Sequence, residues 1–226
     1  MTKRAGKTYP PDPHGWYREP RSSAVQAFRS LAHLFGPSGS IVWDCCTGSG
    51  NLLDVARENG FQTFGSDIVD RGAAARHQFL LGDFLQMRAL PFRPPFGARV
   101  SIVCNPPYGR VGGVANIGEK FVQHALGKFG SVVDAMAFIL PIEFIASVGR
   151  YWRIYEKRPP SAFAVFCERP SMPPGAMVEE LGEAAFSGGM ADYCVLVWSR
   201  HYAGSDLLFI RPDDSSRPPD LERRVR

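Results

Sequence analysis

The sequence predicts an α/β protein with a mostly parallel sheet and helices on both faces, and three observations predict it. Apolar β-type runs alternate along the chain with segments whose apolar residues recur at helical spacing. One such run, Ser40 to Cys46, ends in the turn Thr47-Gly48-Ser49-Gly50-Asn51 and passes into a helical stretch. There the glycines let backbone approach a ligand and the helix N-terminus offers free N–H groups. Chemistry-bearing residues fall at the carboxyl ends of predicted strands, where ligands bind in such sheets.

At 226 residues the chain suits a single domain with a real core. A composition of 45% hydrophobic and 21% charged residues is that of a globular protein, while 23 glycines and 19 prolines imply many structured loops. The net charge of +4 leans towards a polyanionic partner. Cysteines 45, 46, 104, 167 and 194 form no CxxC pair and read as reduced core thiols. With only scattered histidines beside them, no metal site is expected. Residues 1–15 carry Lys3, Arg4, Lys7 and several prolines, and read either as a flexible basic arm touching nucleic acid or as a tail with incidental charge. No apolar leader is evident, and the most apolar window, 135–148, is broken by Pro141 and Glu143, so a cytoplasmic protein without a membrane span is expected. The domain is expected over 16–212, followed by a polar, disordered tail over 213–226.

Taken in order, Trp16 to Pro20 leads into a helix from Ser23 to Phe35, with Ser22 or Ser23 as its cap. The Ser40 to Cys46 strand and its glycine turn follow, then a helix from Leu52 to Asn59. A lone GxG is weak evidence, and a nicotinamide-type fingerprint would want Gly or Ala in place of Leu53. The second strand, Gln62 to Ser66, ends at Asp67, where an acid beside the glycine turn suits ribose hydroxyls; the plain alternative is a loop cap. A short apolar run, Phe79 to Leu85, is interrupted by Gly82-Asp83.

The strand Ala98 to Cys104 ends in Asn105-Pro106-Pro107-Tyr108. Two prolines remove backbone donors and stop the strand, leaving an acceptor-rich rim. Asn105 adds an amide oxygen beside the Pro106 carbonyl, and Tyr108 adds a flat ring for stacking, a set that suits an amino group on a planar ring. Gly109 to Asn116 is too glycine-rich for a stable helix or strand and reads as a mobile lid. Beyond it come a helix from Ile117 to Phe129, a buried strand from Val132 to Leu140, a helix from Ser147 to Lys157, and a strand from Ser161 to Cys167. A Pro- and Gly-containing excursion spans Met172 to Gly189. The last strand, Asp192 to Trp198, is followed by a short apolar run, Leu207 to Ile210.

Asn-Pro-Pro-Tyr after a strand resembles the catalytic motif of class I S-adenosylmethionine-dependent amino-methyltransferases, and the resemblance covers most of residues 16–200. It implies a Rossmann-like fold with seven strands, the last antiparallel. It implies S-adenosylmethionine as cofactor and Asn105, Pro106, Pro107 and Tyr108 as the catalytic group. Asp44, four residues before Gly48, matches the acid that bonds the methionine amino group, within a loop containing Thr47, Gly48 and Gly50. Tyr17 and Pro20 match an aromatic and a proline lying over the methionine part, although Arg18-Glu19 replaces the more usual Thr there. Asp67 with Ile68 matches the ribose position, Asp83 and Phe84 match the adenine position, and Asn105 also borders the cofactor. Arg169-Pro170 and Asp192-Tyr193 resemble phage-encoded DNA N6-adenine methyltransferases, which implies DNA as partner. A base amine in RNA, a glutamine amide in protein, or a non-catalytic nucleic-acid-binding role stays open. Unlike its larger relatives, the chain is not expected to carry a separate target-reading domain, which leaves the loops at 86–97, 109–117 and 170–190 for that task.

Overall fold

The computed structural model describes residues 12–189, 191–202, 204 and 206–210. The expected basic arm is therefore described only from Asp12 onward, and the tail at 213–226 lies outside the described residues. Five strands form a parallel half-sheet: β1 (Ile41–Asp44), β2 (Gln62–Asp67), β3 (Gln78–Leu81), β4 (Val100–Cys104) and β5 (Ala135–Pro141). They are continued by β6 (Ala162–Phe166), β7 (Tyr193–Ser199) and β8 (Asp206–Ile210), in the spatial order β3-β2-β1-β4-β5-β7-β6-β8. As the resemblance implied, β7 runs antiparallel, to both β5 and β6.

Among the described residues the sheet has eight strands, where seven were expected. The run after β7 pairs parallel with β6, Ala162 opposite Asp206 through Phe166 opposite Ile210. The cause is the open edge of β6, whose unpaired N–H and C=O groups are met by an eighth strand.

Both faces of the sheet are covered. Along β5, Ala135, Ala137 and Ile139 join one core with α1 (Arg21–Leu31) and α2 (Asn51–Glu58). Met136, Phe138 and Leu140 join the other, with α3 (Ile117–His124) and its π-helical extension Ala125–Phe129. Side chains alternate across a strand, so a strand covered on both faces reads as one apolar run. That is why β5 was legible as a buried strand.

The first helix starts at Arg21, with Pro20 rather than a serine before it, and Ser23 is buried within its first turn. Proline suits a helix entrance because its missing N–H would have no partner there. The Pro20 carbonyl instead accepts Ser23 N at 3.1 Å. α4 (Val148–Arg150) is capped by Ser147 and continues as a π-helical turn, Tyr151–Tyr155. The excursion after β6 contains α5 (Gly175–Leu181). Residues 109–116 form neither helix nor strand, only a tight turn in which Val111 and Val114 exchange backbone hydrogen bonds of 3.0 and 2.8 Å.

This order places β1 between β2 and β4, so chain connections leave β1 in opposite directions. A crevice opens there at the carboxyl ends. No described helix is long and apolar enough to cross a membrane.

Candidate active site

The crevice holds a cavity of about 360 Å³. Its floor is the turn after β1, where Gly48 (φ +54°) and Gly50 (φ +90°) use left-handed backbone. Trp16 lies over Gly48 so closely that a Cβ there would stand 2.8 Å from the indole nitrogen. Thr47 Oγ1 lies 2.9 Å from the Asp44 carbonyl and 3.1 Å from that of Ser66, tying the ends of β1 and β2 together. Asp67 at the end of β2 accepts Gly48 N (2.8 Å) and Val69 N (3.2 Å), so it braces the turn while facing the cavity.

Tyr17, Thr47, Gly48, Asp67, Ile68, Asp83, Phe84 and Asn105 all border this cavity. Asp83 is exposed and accepts Leu85 N, whereas Phe84 reaches the wall from inside the core, packed on Trp43 and Phe129. Pro20, Asp44 and Gly50 stand behind the wall. Pro20 opens α1, Gly50 precedes α2, and Asp44 is 2% exposed with Oδ1 on Cys46 N at 3.1 Å. Burial pushes the Asp44 carboxyl well up, reinforced by Cys45 and Glu19.

Within the Asn-Pro-Pro-Tyr group, Asn105 and Pro107 face the cavity and Pro106 is buried behind it. The Asn105 amide nitrogen donates to Glu19 Oε2 (2.9 Å) and to the Tyr17 carbonyl (3.3 Å). Its Oδ1 accepts the Tyr108 hydroxyl, which also lies 3.1 Å from the Ile139 carbonyl. Burial pushes the Tyr108 phenol well up and keeps it a donor. Tyr108 borders a second, smaller cavity of about 130 Å³ together with Glu119, Glu143, Phe144 and Arg150.

Sequence reasoning missed Glu19. It borders the main cavity at 8% exposure, and burial raises its carboxyl while the Asn105 hydrogen bond opposes. Its only signal was the Arg18-Glu19 departure before Pro20.

A thiol cluster was also missed. Cys45, Cys46 and Cys104 have sulfur atoms within 4.8 Å of one another, and Cys46 Sγ lies 2.6 Å from Cys104 Sγ and 3.2 Å from the Asn105 carbonyl. Burial pushes both Cys46 and Cys104 well up, which holds them as thiols.

Residues 12–19 roof the cavity. The Asp12 side chain accepts His14 N and Trp16 N, Arg71 stacks 4.5 Å from the Trp16 ring, and Tyr17 bridges to Pro174. Gly175 is needed there, since a Cβ would run into the Trp16 ring. Arg169 pairs with Asp192 at 2.6 Å, joining the two stretches that carried the finer resemblance.

No protein-family profile matches the chain, and no curated protein matches it in sequence. Solved structures do match in shape. A modification subunit provisionally assigned to a type I restriction enzyme of Vibrio vulnificus YJ016 is 15% identical, with a TM-score of 0.58 over 90% of this chain and 48% of its own. The type I restriction-modification methyltransferase subunit of Streptococcus thermophilus is 13% identical, with a TM-score of 0.57 over 86% of this chain and 47% of its own. A provisionally assigned RNA methyltransferase of Pyrococcus horikoshii is 17% identical, with a TM-score of 0.54 over 87% and 92%. The fold is that of the class I methyltransferases. The chain spans about half the length of the two modification subunits it matches.

Proposed function

We propose that this protein is an S-adenosylmethionine-dependent methyltransferase acting on the exocyclic N6 amine of adenine in DNA. One observation carries the reading: a glycine turn, two acids from neighbouring strand ends and the Asn105 amide border a single cavity. A nucleoside needs a close backbone approach, an acceptor for its ribose and an acceptor for its base amine. The Gly48 turn, Asp67 and Asp83 are those three. Glu19 and Tyr17, nearest Asn105, suit the cationic methionine end, the carboxylate by charge and the ring by a cation–π contact. Asp44 acts through the turn that it braces. S-adenosylmethionine, when bound, supplies an electrophilic methyl group on a positively charged sulfur.

The chain's own part is to prepare the amine. An aromatic amine is a poor nucleophile because its lone pair is shared with the ring. Acceptors that hold both its hydrogens favour a tetrahedral nitrogen with the lone pair free to attack. Asn105 Oδ1 keeps a second lone pair beside the Tyr108 hydroxyl, and the Pro106 carbonyl is the other acceptor. Glu19 and Tyr17 fix the amide so that its oxygen, not its nitrogen, is presented. The base leaves the duplex to reach this rim, at a cost of a few kcal/mol. The net charge of +4 favours a phosphate-bearing substrate and makes binding salt-sensitive. A base amine in RNA is the second reading, favoured by the likeness to the Pyrococcus horikoshii protein, of which 92% is covered.

The test is transfer of labelled methyl from S-adenosylmethionine to unmethylated DNA, RNA and total protein in parallel, followed by digestion. The expected result is label in N6-methyladenine from DNA, absent with Asn105→Ala. Label confined to RNA or protein overturns the DNA assignment.

A further inference from the structure

Neither cavity accounts for the surface that follows β5. Ile145, Val148, Tyr151 and Trp152 are exposed there by 37, 78, 50 and 58%. The segment turns Ile154 into the core and half-buries Tyr155, whose hydroxyl donates to the Phe144 carbonyl, so the outward aromatic residues are not spare core. Large apolar groups left together in water mark an interaction surface. The Tyr151 and Trp152 rings stand at 84° with centroids 5.0 Å apart, edge to face rather than stacked on each other.

Charge identifies the partner. Over 142–158 the chain carries Arg150, Arg153, Lys157 and Arg158 against Glu143 and Glu156. Arg153 leans on Glu119 yet remains half exposed, and Lys157 is exposed. On α3, beside Glu119, Lys120 is also exposed. Open aromatic rings among cations are the surface that binds unpaired nucleic acid, with bases on the rings and phosphates on the charges. The location agrees, because Glu143, Phe144 and Arg150 of this same segment border the cavity next to Tyr108.

We propose that Tyr151 and Trp152 form a stacking platform for a base next to the target nucleotide of the DNA strand, with Arg153 and Lys157 on its phosphates. A base taken out of a duplex leaves its neighbours partly unstacked, and the platform replaces the stacking they lose. The inference rests on the DNA reading above.

The test is binding of a fluorescein-labelled single-stranded DNA oligonucleotide to the full chain, read by anisotropy, with Tyr151→Ala, Trp152→Ala and Trp152→Phe. Val132→Ala, at an exposed apolar residue before β5 and away from the carboxyl ends of the strands, is the control. Each alanine variant should weaken binding by about 5- to 100-fold. Trp152→Phe should recover most of the loss, and Lys157→Ala should lower the salt slope by about 1. In turnover, KM for DNA should rise while kcat and S-adenosylmethionine affinity hold.

Unchanged DNA binding in both alanine variants overturns the platform and leaves the DNA reading standing. Two further outcomes also overturn it. One is a loss confined to RNA of the same sequence; the other is a wild-type dimer that becomes monomeric with unaltered DNA affinity. A wild-type chain that neither binds nor methylates DNA overturns the underlying reading instead.

Discussion

Replacing Glu19 by glutamine keeps the acceptor that faces Asn105 and removes a buried charge, and pH separates the two effects. Glu19 is 8% exposed and accepts the Asn105 amide at 2.9 Å, with its carboxyl raised chiefly by burial. A raised folded-state value means that the folded protein holds this proton more tightly than the unfolded chain. The associated stability is present below the unfolded value of about 4.3 and is lost as pH rises through the raised folded value. Glu19→Gln has no such loss. It should match wild type near pH 4.5 and be the more stable protein at pH 8. Glu19→Ala removes the hydrogen bond altogether and leaves the Asn105 donor unmatched, so it should be less stable than Glu19→Gln at every pH by about 1–3 kcal/mol, roughly 2–12 °C in Tm for a chain of this size. Thermal unfolding of the three proteins between pH 4.5 and 8 is the assay. Because Glu19 also borders the proposed methionine end, Glu19→Gln should weaken S-adenosylmethionine binding about tenfold, the loss of one charge-assisted contact. A Glu19→Gln curve parallel to wild type at every pH would refute the buried charge, and the argument built on it.

On the proposed function, Asn105→Ala should cost about 10²–10³ in single-turnover methyl transfer, with far less effect on cofactor affinity, because it removes the acceptor proposed for the reacting amine. Gly175→Ala drives a methyl group into the Trp16 ring and should cost about 1–3 kcal/mol, seen as a lowered Tm and altered tryptophan emission. The His77 ring is buried against Thr63 and Asp54, and burial lowers its value. Stability linked to it is complete above about pH 6.5 and falls as pH drops through the lowered folded value, so His77→Gln should flatten the decline below about pH 6.5 in urea unfolding.

Why some of this was legible and some was not follows from sequence distance. In a parallel sheet all carboxyl ends reach one edge, so Gly48, Asp67, Asp83 and Asn105 could be expected near one another from strand ends, and they border one cavity. The apolar runs of β1, β4 and β5 were legible because both sheet faces are covered. Glu19 was not, since its partner Asn105 lies 86 residues away and a Glu in an entrance loop ordinarily reads as solvated. The cysteines gave no motif because Cys46 and Cys104 meet only through the pairing of β1 with β4. Asp44 carried the spacing of the family motif, but its depth behind the turn is set by packing that spacing does not encode. The aromatic platform was hidden for a similar reason. Tyr151, Trp152, Ile154 and Tyr155 are all apolar or aromatic, and a π-helical turn rather than a regular helix decides which of them face water.

The central claim is that the cavity bounded by Gly48, Asp67, Asp83 and Asn105 holds S-adenosylmethionine. Calorimetric titration of the cofactor into the wild-type chain and into Asp67→Ala tests it most directly. One site per chain, weakened at least tenfold in Asp67→Ala, is the predicted result. No heat with the wild-type chain, or equal affinity in both proteins, would contradict it.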